Sequence, residues 1–397
     1  MRKIIAADWS VLYTRPQLDK FFSLSPDGNY LAIASDQIEI IREEPAAWGA
    51  RLVRAYVAGE IDELPFTQTA AWAASKQLTG WSSARLIAQH PSGAWAGAQF
   101  LLQRLPGPLG RFAYAPRAPL VACADPAVAD ALRAEFLRAL RALLADGVTL
   151  VRLELGSSLI VDPESNVVQP DPALTASLRA PWISAARGAG ARLHLAAPIQ
   201  PPSSRRIALA GGVDEVRAGW RSKWRQYARQ ALADGVTVRL GSADELPALT
   251  AVMHAISERT GSKTRSGEAF AQLMRAFGPR SELVIAEGAD ASGASQVLGA
   301  LLVVRTESGS TELFGGATDR GNELRAPYAL KAFAIERAVD QGSAWYDMWG
   351  LVTPGIAHFK AGWGGDVHAY PGALDLDLDP IRGPLVRLAL RVRRVAS

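Results

Sequence analysis

The stretch Trp345-Tyr-Asp-Met-Trp-Gly-Leu-Val-Thr-Pro-Gly-Ile-Ala-His-Phe-Lys-Ala-Gly-Trp-Gly-Gly365 decides how the chain is read. Apolar and aromatic residues around Tyr346 and Met348 predict a short buried strand that breaks at Gly350. A loop is expected next, bringing Phe359 and Lys360 up to Gly362, Gly364 and Gly365. Glycines this dense suit a turn in which the backbone approaches something closely or takes φ > 0. Lys360 stands out because the chain holds seven lysines against 36 arginines, so a bland surface charge here would more naturally be arginine.

Outward from this stretch the chain shows the same order of elements twice. In the first half, Arg51–Val57 reads as a strand, Thr67–Gln77 as a helix, and Ala84–His90, Ala94–Gln103 and Arg111–Ala115 as strands. A helix is predicted from Pro126 to Ala145, with Asp125 as N-cap, Gly147 as stop, and a stripe of Val128, Leu132, Phe136, Leu140 and Leu144. The strand Val148–Leu155 follows. In the second half, Val236–Leu240 is a strand, Asp244–Glu258 and Gly267–Phe277 are helices, and Glu282–Ala286, Val297–Arg305 and Thr311–Phe314 are strands. A helix from Glu323 to Asp340 stops at Gly342, and Trp345–Met348 closes the unit. Such units pack helices on a largely antiparallel sheet. The Pro/Ser-rich segment Pro198–Arg205 is the natural boundary. Domains are therefore expected at 1–203 and 204–378, with 379–397 packing back on the first; residues 1–50 fit neither repeat.

Composition narrows the class. At 397 residues the chain suits two domains, and 49% hydrophobic with 21% charged residues is ordinary for a globular protein. No stretch approaches the ~20 apolar residues of a membrane span. The N-terminus lacks a signal-peptide core, and the single cysteine, Cys123, excludes an intrachain disulfide. A cytoplasmic location is the expectation. A net charge of +4 is compatible with a polyanionic partner without demanding one.

No phosphate loop, dinucleotide fingerprint or nucleophile elbow occurs, and the five histidines (90, 194, 254, 358, 368) never fall at metal-ligand spacing. In Ala373–Pro380, Leu374, Leu376 and Leu378 alternate with Asp375, Asp377 and Asp379, which reads as a strand with one solvated face rather than a metal cluster.

The Phe-Lys-x-Gly-aromatic-Gly-Gly pattern after a Tyr-Asp strand resembles the FemABX family, peptidoglycan interpeptide-bridge aminoacyltransferases that take their amino acid from aminoacyl-tRNA. Four further segments extend the resemblance over most of residues 60–378. Phe66–Lys76 looks like the family's Gln-Ser-x-x-Trp-x-x-x-Lys element; Thr67 would cap a helix with Trp72 inward and Lys76 one turn on. Phe112–Leu120 matches its Tyr-x-Pro-Arg-Gly-Pro turn with Ala118 in place of glycine, making Tyr114 and Arg117 either ligand-facing or parts of a structural turn. In Val216–Ala231, Val216, Trp220 and Trp224 form a buried stripe beside Arg217, Arg221 and Arg225, with Lys223, Tyr227 and Arg229 nearby. This is either a solvated basic face or, as the alignment of Arg225 and Arg229 with the family's arginines implies, a phosphate site. Leu313–Leu330 matches the family stretch leading into the helix before Tyr346.

The resemblance implies a mixed α/β (α+β) fold, a tandem duplication of a GNAT-like, acyl-CoA N-acyltransferase domain. Neither half carries the Gln/Arg-x-x-Gly-x-Gly/Ala signature that cradles the coenzyme A pyrophosphate, so a different acyl donor is expected. The implied reaction moves an amino acid from aminoacyl-tRNA, a co-substrate, to the side-chain amine of a lipid II- or UDP-linked muropeptide, with no metal, redox cofactor or DNA. Lys360 would stabilise the oxyanion or hold the tRNA 3′ end, with Phe359 against the terminal adenosine. Lys76, Arg225 and Arg229 would take the diphosphate. One position departs: Ala122 stands where the family often has an aspartate, so either Asp125 serves as base or no protein base acts there. Two other readings are a GNAT-like N-acyltransferase of envelope polysaccharide synthesis and a non-catalytic muropeptide-binding protein.

The C-terminal segment 384–394 predicts a basic amphipathic helix, with Leu385, Leu388, Ala389 and Val392 on one side and Arg387, Arg391 and Arg394 on the other. It would either touch the inner face of the plasma membrane weakly or pack its apolar side on the first domain.

Overall fold

A computed structural model of the chain describes residues 23–24, 30–32, 38–162, 168–261, 264–290 and 293–395. Two sheets carry the fold, each in its own compact unit. The first unit comprises residues 1–158, 171–200 and 370–397; the second comprises 159–170 and 201–369. Of residues 1–50, which fit neither repeat, 1–22, 25–29 and 33–37 lie outside the described residues.

In the first unit the strands run in the spatial order Glu39–Arg42, Trp81–Gln89, Trp95–Arg104, Arg111–Pro116, Val148–Glu154, Ala373–Asp377, Leu193–Ala196. Among the described strands of this unit only Arg111–Pro116 and Val148–Glu154 pair in parallel, because a long helix connects them. That helix, Pro126–Ala139, buries Leu132, Phe136 and Leu137 on one face of the sheet together with Trp182 from helix Ala176–Gly188. Its last turns tighten to a 3₁₀ stretch, Leu140–Asp146, ended by Gly147 at φ 76°. The opposite face is covered by helix Pro45–Val57, whose Trp48, Leu52 and Ala55 fall at helical spacing. Arg51–Val57, expected as a strand, is the second half of this helix. Its apolar residues read as a strand only when the preceding Pro45 start and Trp48 are left out.

The second unit repeats the order: Thr237–Gly241, Ser281–Ala289, Ser295–Arg305, Gly309–Ala317, Trp345–Gly350, Ser203–Ala208, Asp366–Ala369, with Leu159–Val161 at the edge. Again one pair, Gly309–Ala317 with Trp345–Gly350, is parallel and is joined by a helix, Ala326–Asp340. Trp220, Trp224, Leu330, Ile335, Tyr346, Met348 and Trp363 make its core.

Two strands depart from the sequence order of the units. Leu159–Val161 comes between Val148–Glu154 and Leu193–Ala196 of the first sheet in sequence yet lies in the second sheet. Ala373–Asp377 follows Asp366–Ala369 of the second sheet yet lies in the first, antiparallel to both neighbours. Alternation places Leu374 and Leu376 in the core and the aspartates on the other face. That face is not solvated as expected. Asp375 is fully buried and accepts a two-pronged bond from Arg152 at 2.7 and 2.9 Å. Asp377 meets Arg387, and Asp379 meets Arg382, so each carboxylate answers an arginine.

Candidate active site

Tyr346 and Asp347 sit where the second unit's parallel pair comes apart. Pairing runs through Gly309↔Trp345, Ser310↔Tyr346 and Thr311↔Asp347 and then stops. On its other side Gly309–Ala317 shifts register against Ser295–Arg305: Val303 faces Glu312 and Leu302 faces Phe314, leaving Leu313 as an extra residue. A bulge bends its strand and raises local twist, which carries Glu312–Ala317 away from Met348–Gly350.

Lys360 enters that opening. Phe359 and Lys360, expected after a loop, belong to helix Pro354–Ala361; Thr353 caps it by accepting from the Ile356 amide, and Pro354 occupies its first turn. The Lys360 Nζ donates to the carbonyls of Met348, Trp349 (3.3 Å) and Gly350 (2.8 Å). These carbonyls lie past the end of the parallel ladder, so the ammonium supplies partners that the strand has lost. Burial, and secondarily the nearby Lys331 charge, lowers its pKa from 10.5 to about 8. Holding it charged therefore costs about 3 kcal/mol. Trp349 takes φ 60°, an unusual conformation for a bulky residue, and its amide is held by Asp347 Oδ1 at 2.6 Å. Asp347, 1% exposed, also accepts from Arg206 (2.9 Å) and Ser204 (3.3 Å).

A second buried lysine stands beside the first. Lys331 pairs with Glu312, whose carboxylate also accepts the Tyr346 hydroxyl at 2.8 Å. Burial and then the Glu312 charge push the Tyr346 pKa well up, so the phenol stays protonated. Glu312, Lys331, Tyr346 and Asp347 were not singled out as site residues from the sequence. The available signal was lysine scarcity: of the described lysines, 76, 331 and 360 are buried and only 223 is exposed.

Aromatic rings gather next to Lys360. Tyr328 contacts Phe359 (5.3 Å between centroids), Tyr227 (5.0 Å) and Trp224 (5.4 Å), mostly edge to face. The Trp224 indole donates to the Phe359 carbonyl at 2.9 Å. Gly362 makes this possible, since a Cβ there would lie 2.2 Å from that indole. Tyr227, Phe359 and Tyr328 are half-buried, with Arg325 over the Tyr227 ring at 5.0 Å.

The two arginines aligned as phosphate ligands differ. Arg225 Nη1 donates to the carbonyls of Arg217 (3.0 Å), Ala218 (3.2 Å) and Trp220, capping helix Gly212–Ala218. One arm of this guanidinium therefore serves the fold while the residue also faces the cavity it was expected to supply. Arg229 is exposed and makes no hydrogen bond or ion pair among the described residues. Both line a cavity of about 640 Å³ with Trp220, Phe333 and Leu232.

The remaining sequence candidates lie in the first unit. Thr67 does not cap the helix; Thr69 does, accepting from the Trp72 amide at 3.1 Å. Thr67 and Gln68 instead donate to the Pro116 carbonyl, at 3.1 and 2.8 Å, pinning this helix to the end of Arg111–Pro116. Helix Ala70–Ser75 thereby carries Trp72 and Lys76, whose buried ammonium rests over the Trp72 ring at 3.6 Å. At the same strand end Arg117 takes φ 55° and lies over Tyr370 at 3.3 Å, 3% exposed. Tyr114 donates to Glu154 at 2.6 Å, and Glu154 also accepts the amides of Ile199 and Gln200, both at 2.9 Å. Burial raises the Glu154 pKa. Asp125 is exposed and caps its helix by accepting from Ala127 (2.8 Å) and Val128 (3.3 Å).

A sequence model described as the FemAB family matches residues 189–289 and 287–390. No curated protein matches the chain. Among solved structures, a crystal structure of FemX superposes with a TM-score of 0.68 at 16% identity, covering 88% of this chain and 99% of that one. A conserved protein of unknown function from Bacteroides thetaiotaomicron gives 0.51 at 9% identity, over 85% and 99%. A GCN5-related N-acetyltransferase from Sphaerobacter thermophilus gives 0.40 at 14% identity, over 87% and 97%. With the repeated strand order, the fold is a tandem of GNAT-like units.

Proposed function

The chain belongs to the FemAB family, and on that premise we propose that it transfers an amino acid from aminoacyl-tRNA to the side-chain amine of a peptidoglycan stem peptide. The observation that carries the reading is the buried Lys360 cation in the opening between Gly309–Ala317 and Trp345–Gly350, beside half-buried aromatic rings. The ester of aminoacyl-tRNA is already activated, so catalysis consists mainly of positioning and charge stabilisation. The neutral acceptor amine attacks the ester carbonyl, the C–N bond forms, and the ribose hydroxyl leaves with the proton the amine gives up. Neither a metal nor a redox group is required for this exchange.

Lys360 supplies positive charge where the carbonyl oxygen becomes an anion. All three of its donors are occupied, so direct contact means exchanging one bond; the 3.3 Å bond to Trp349 is the longest and the cheapest to give up. Phe359 and Tyr328 offer ring faces and edges for the terminal adenosine. In the same unit Arg229 is the cation available for a phosphate, and in the first unit Lys76 is the buried charge assigned to the acceptor's diphosphate.

The lack of the Gln/Arg-x-x-Gly-x-Gly/Ala signature in either half supports a donor other than acetyl-coenzyme A. The deciding experiment offers the protein charged tRNAs and, separately, acetyl-coenzyme A, with a muropeptide precursor. A mass increase of one amino-acid residue on the acceptor is expected. Acetylation alone, or no product with either donor, would overturn the reading.

A further inference from the structure

The helix Arg382–Val395 turns its apolar stripe outward. Its contact with the first unit is made by Gly383 and Val386, both buried, and by Arg387, which bonds Asp377 at 3.0 Å. A Cβ on Gly383 would lie 2.9 Å from the Asp377 Cβ, so the helix sits hard against strand Ala373–Asp377 on this side. Ile381, Leu385 and Leu388 are 73%, 52% and 59% exposed, and Ala389 is exposed beside them. Leu385 and Leu388 share one face of the helix, and Ile381 stands just before its first residue. Of the two outcomes expected from the sequence, packing of this face on the first domain is the one the structure contradicts; the side chains of Val392 and Arg394 lie outside the described residues.

Single exposed leucines are ordinary, whereas two on one helix face with an exposed isoleucine at the helix start mark an interaction surface. Charge selects the partner. Residues 382–397 hold five arginines (382, 387, 391, 393, 394) and no acid. Asp379 and Asp377 answer Arg382 and Arg387, while Arg391 is exposed with no partner among the described residues. Two copies of so basic a helix would repel one another, which disfavours self-association through this face. No described helix is long and apolar enough to cross a membrane. We propose that Ile381, Leu385 and Leu388, with exposed Arg391 and the basic charge of the segment, dock the first unit on an anionic lipid surface, the helix lying in the plane of the interface.

The test uses the full chain with vesicles of phosphatidylcholine, with and without phosphatidylglycerol. Co-sedimentation is expected with the anionic vesicles at low salt, release at high salt, and little binding to the neutral ones. Leu385→Glu/Leu388→Glu should reduce the bound-to-free ratio about tenfold or more, because it removes apolar burial and opposes the basic charge. Equal binding of parent and variant, or no binding to anionic vesicles, overturns the proposal. So does a lower melting temperature in the variant, which would mean that the chain itself covers this face. An oligomer that the variant dissociates would reassign the face to a contact between copies.

Discussion

The two sheets share one strand order, yet their parallel pairs end differently. In the first unit the pair shifts once at its start, with Thr149 as the extra residue between Arg111↔Val148 and Phe112↔Leu150, and then runs on to Pro116↔Glu154; the strand beside it, Trp95–Arg104, pairs with Arg111–Pro116 without a shift. Its end is filled: Glu154 takes two amides and a phenol, and Arg117 lies over Tyr370. In the second unit the pair stops at Thr311↔Asp347, beside the bulge at Leu313, and a lysine occupies the gap. Each unit carries one inserted residue, and its place differs: at the start of the pair in the first unit, at the point where pairing stops in the second. Each end holds buried charges of both signs, Glu154 with Arg117 in the first unit and Asp347 with Lys360 in the second. Arg117 lies over a ring, whereas Lys360 sits in the opening, where a cation can stabilise a developing oxyanion.

If chemistry belongs to the open pair, the largest effect should come from Lys360→Met, with a fall in turnover of ~10²–10³. Two opposing changes keep its melting near that of the parent: the cost of burying a charge disappears, and three carbonyls lose a donor. Lys76→Met, in the closed unit, should instead raise the acceptor KM with kcat largely retained. Loss of kcat in Lys76→Met, with near-normal turnover in Lys360→Met, would reverse the comparison.

The same lysine sets a pH dependence. With a folded pKa of about 8, transfer that needs the ammonium should decline as pH rises through that value, and the residual rate of Lys360→Met should lack this limb. Stability moves the other way. Below about 8 the lysine is protonated folded and unfolded alike; between about 8 and 10.5 only the unfolded chain holds the proton, so the folded state gains up to about 3 kcal/mol. The alkaline loss of rate therefore cannot be unfolding driven by this group, and melting curves across the same range check that.

The duplicated order, the long helices with their Asp125 and Gly147 boundaries, and the buried Tyr346–Met348 strand were legible because periodicity and caps are local signals. The exchange of Leu159–Val161 and Ala373–Asp377 was not, since strand partners are chosen by long-range register and not by the strand's own pattern. The bulge at Leu313 was equally hidden. Of the site, Lys360 and Phe359 were visible through scarcity and glycine spacing. Glu312 and Lys331 were not picked out, because nothing in the sequence says that residues 19 apart form an ion pair. The error at Arg51–Val57 came from reading seven residues of a 13-residue helix.

Arginines sharpen the comparison on a smaller scale. Arg229→Ala, which removes an unpartnered cation from the open unit's cavity, should raise KM for a phosphorylated substrate by ~1.5–3 kcal/mol, about tenfold to a hundredfold. Arg225→Ala should instead lower the melting temperature, because carbonyls at the end of helix Gly212–Ala218 lose their cap. Equal KM for substrates with and without their phosphates would remove Arg229 from the site.

The smallest expected effect lies at corresponding helix starts. In the first unit Asp125 closes the N-terminus of Pro126–Ala139 with its side chain; in the second, Ala326–Asp340 begins at Arg325, φ 60°, with no side-chain cap. Asp125 is the acid nearest to Ala122, so a catalytic base there would move part of the chemistry into the closed unit. A cap and a base answer differently to substitution. Asparagine caps about as well as aspartate but takes no proton, so Asp125→Asn should preserve both melting and turnover if the residue is only a cap. Asp125→Ala should then lower stability by about 1 kcal/mol with turnover per folded molecule unchanged. A fall in turnover in Asp125→Asn at constant melting would assign the proton transfer to Asp125 and break the division between the two units. The exposed carboxylate, with one oxygen already accepting two amides, argues for the cap.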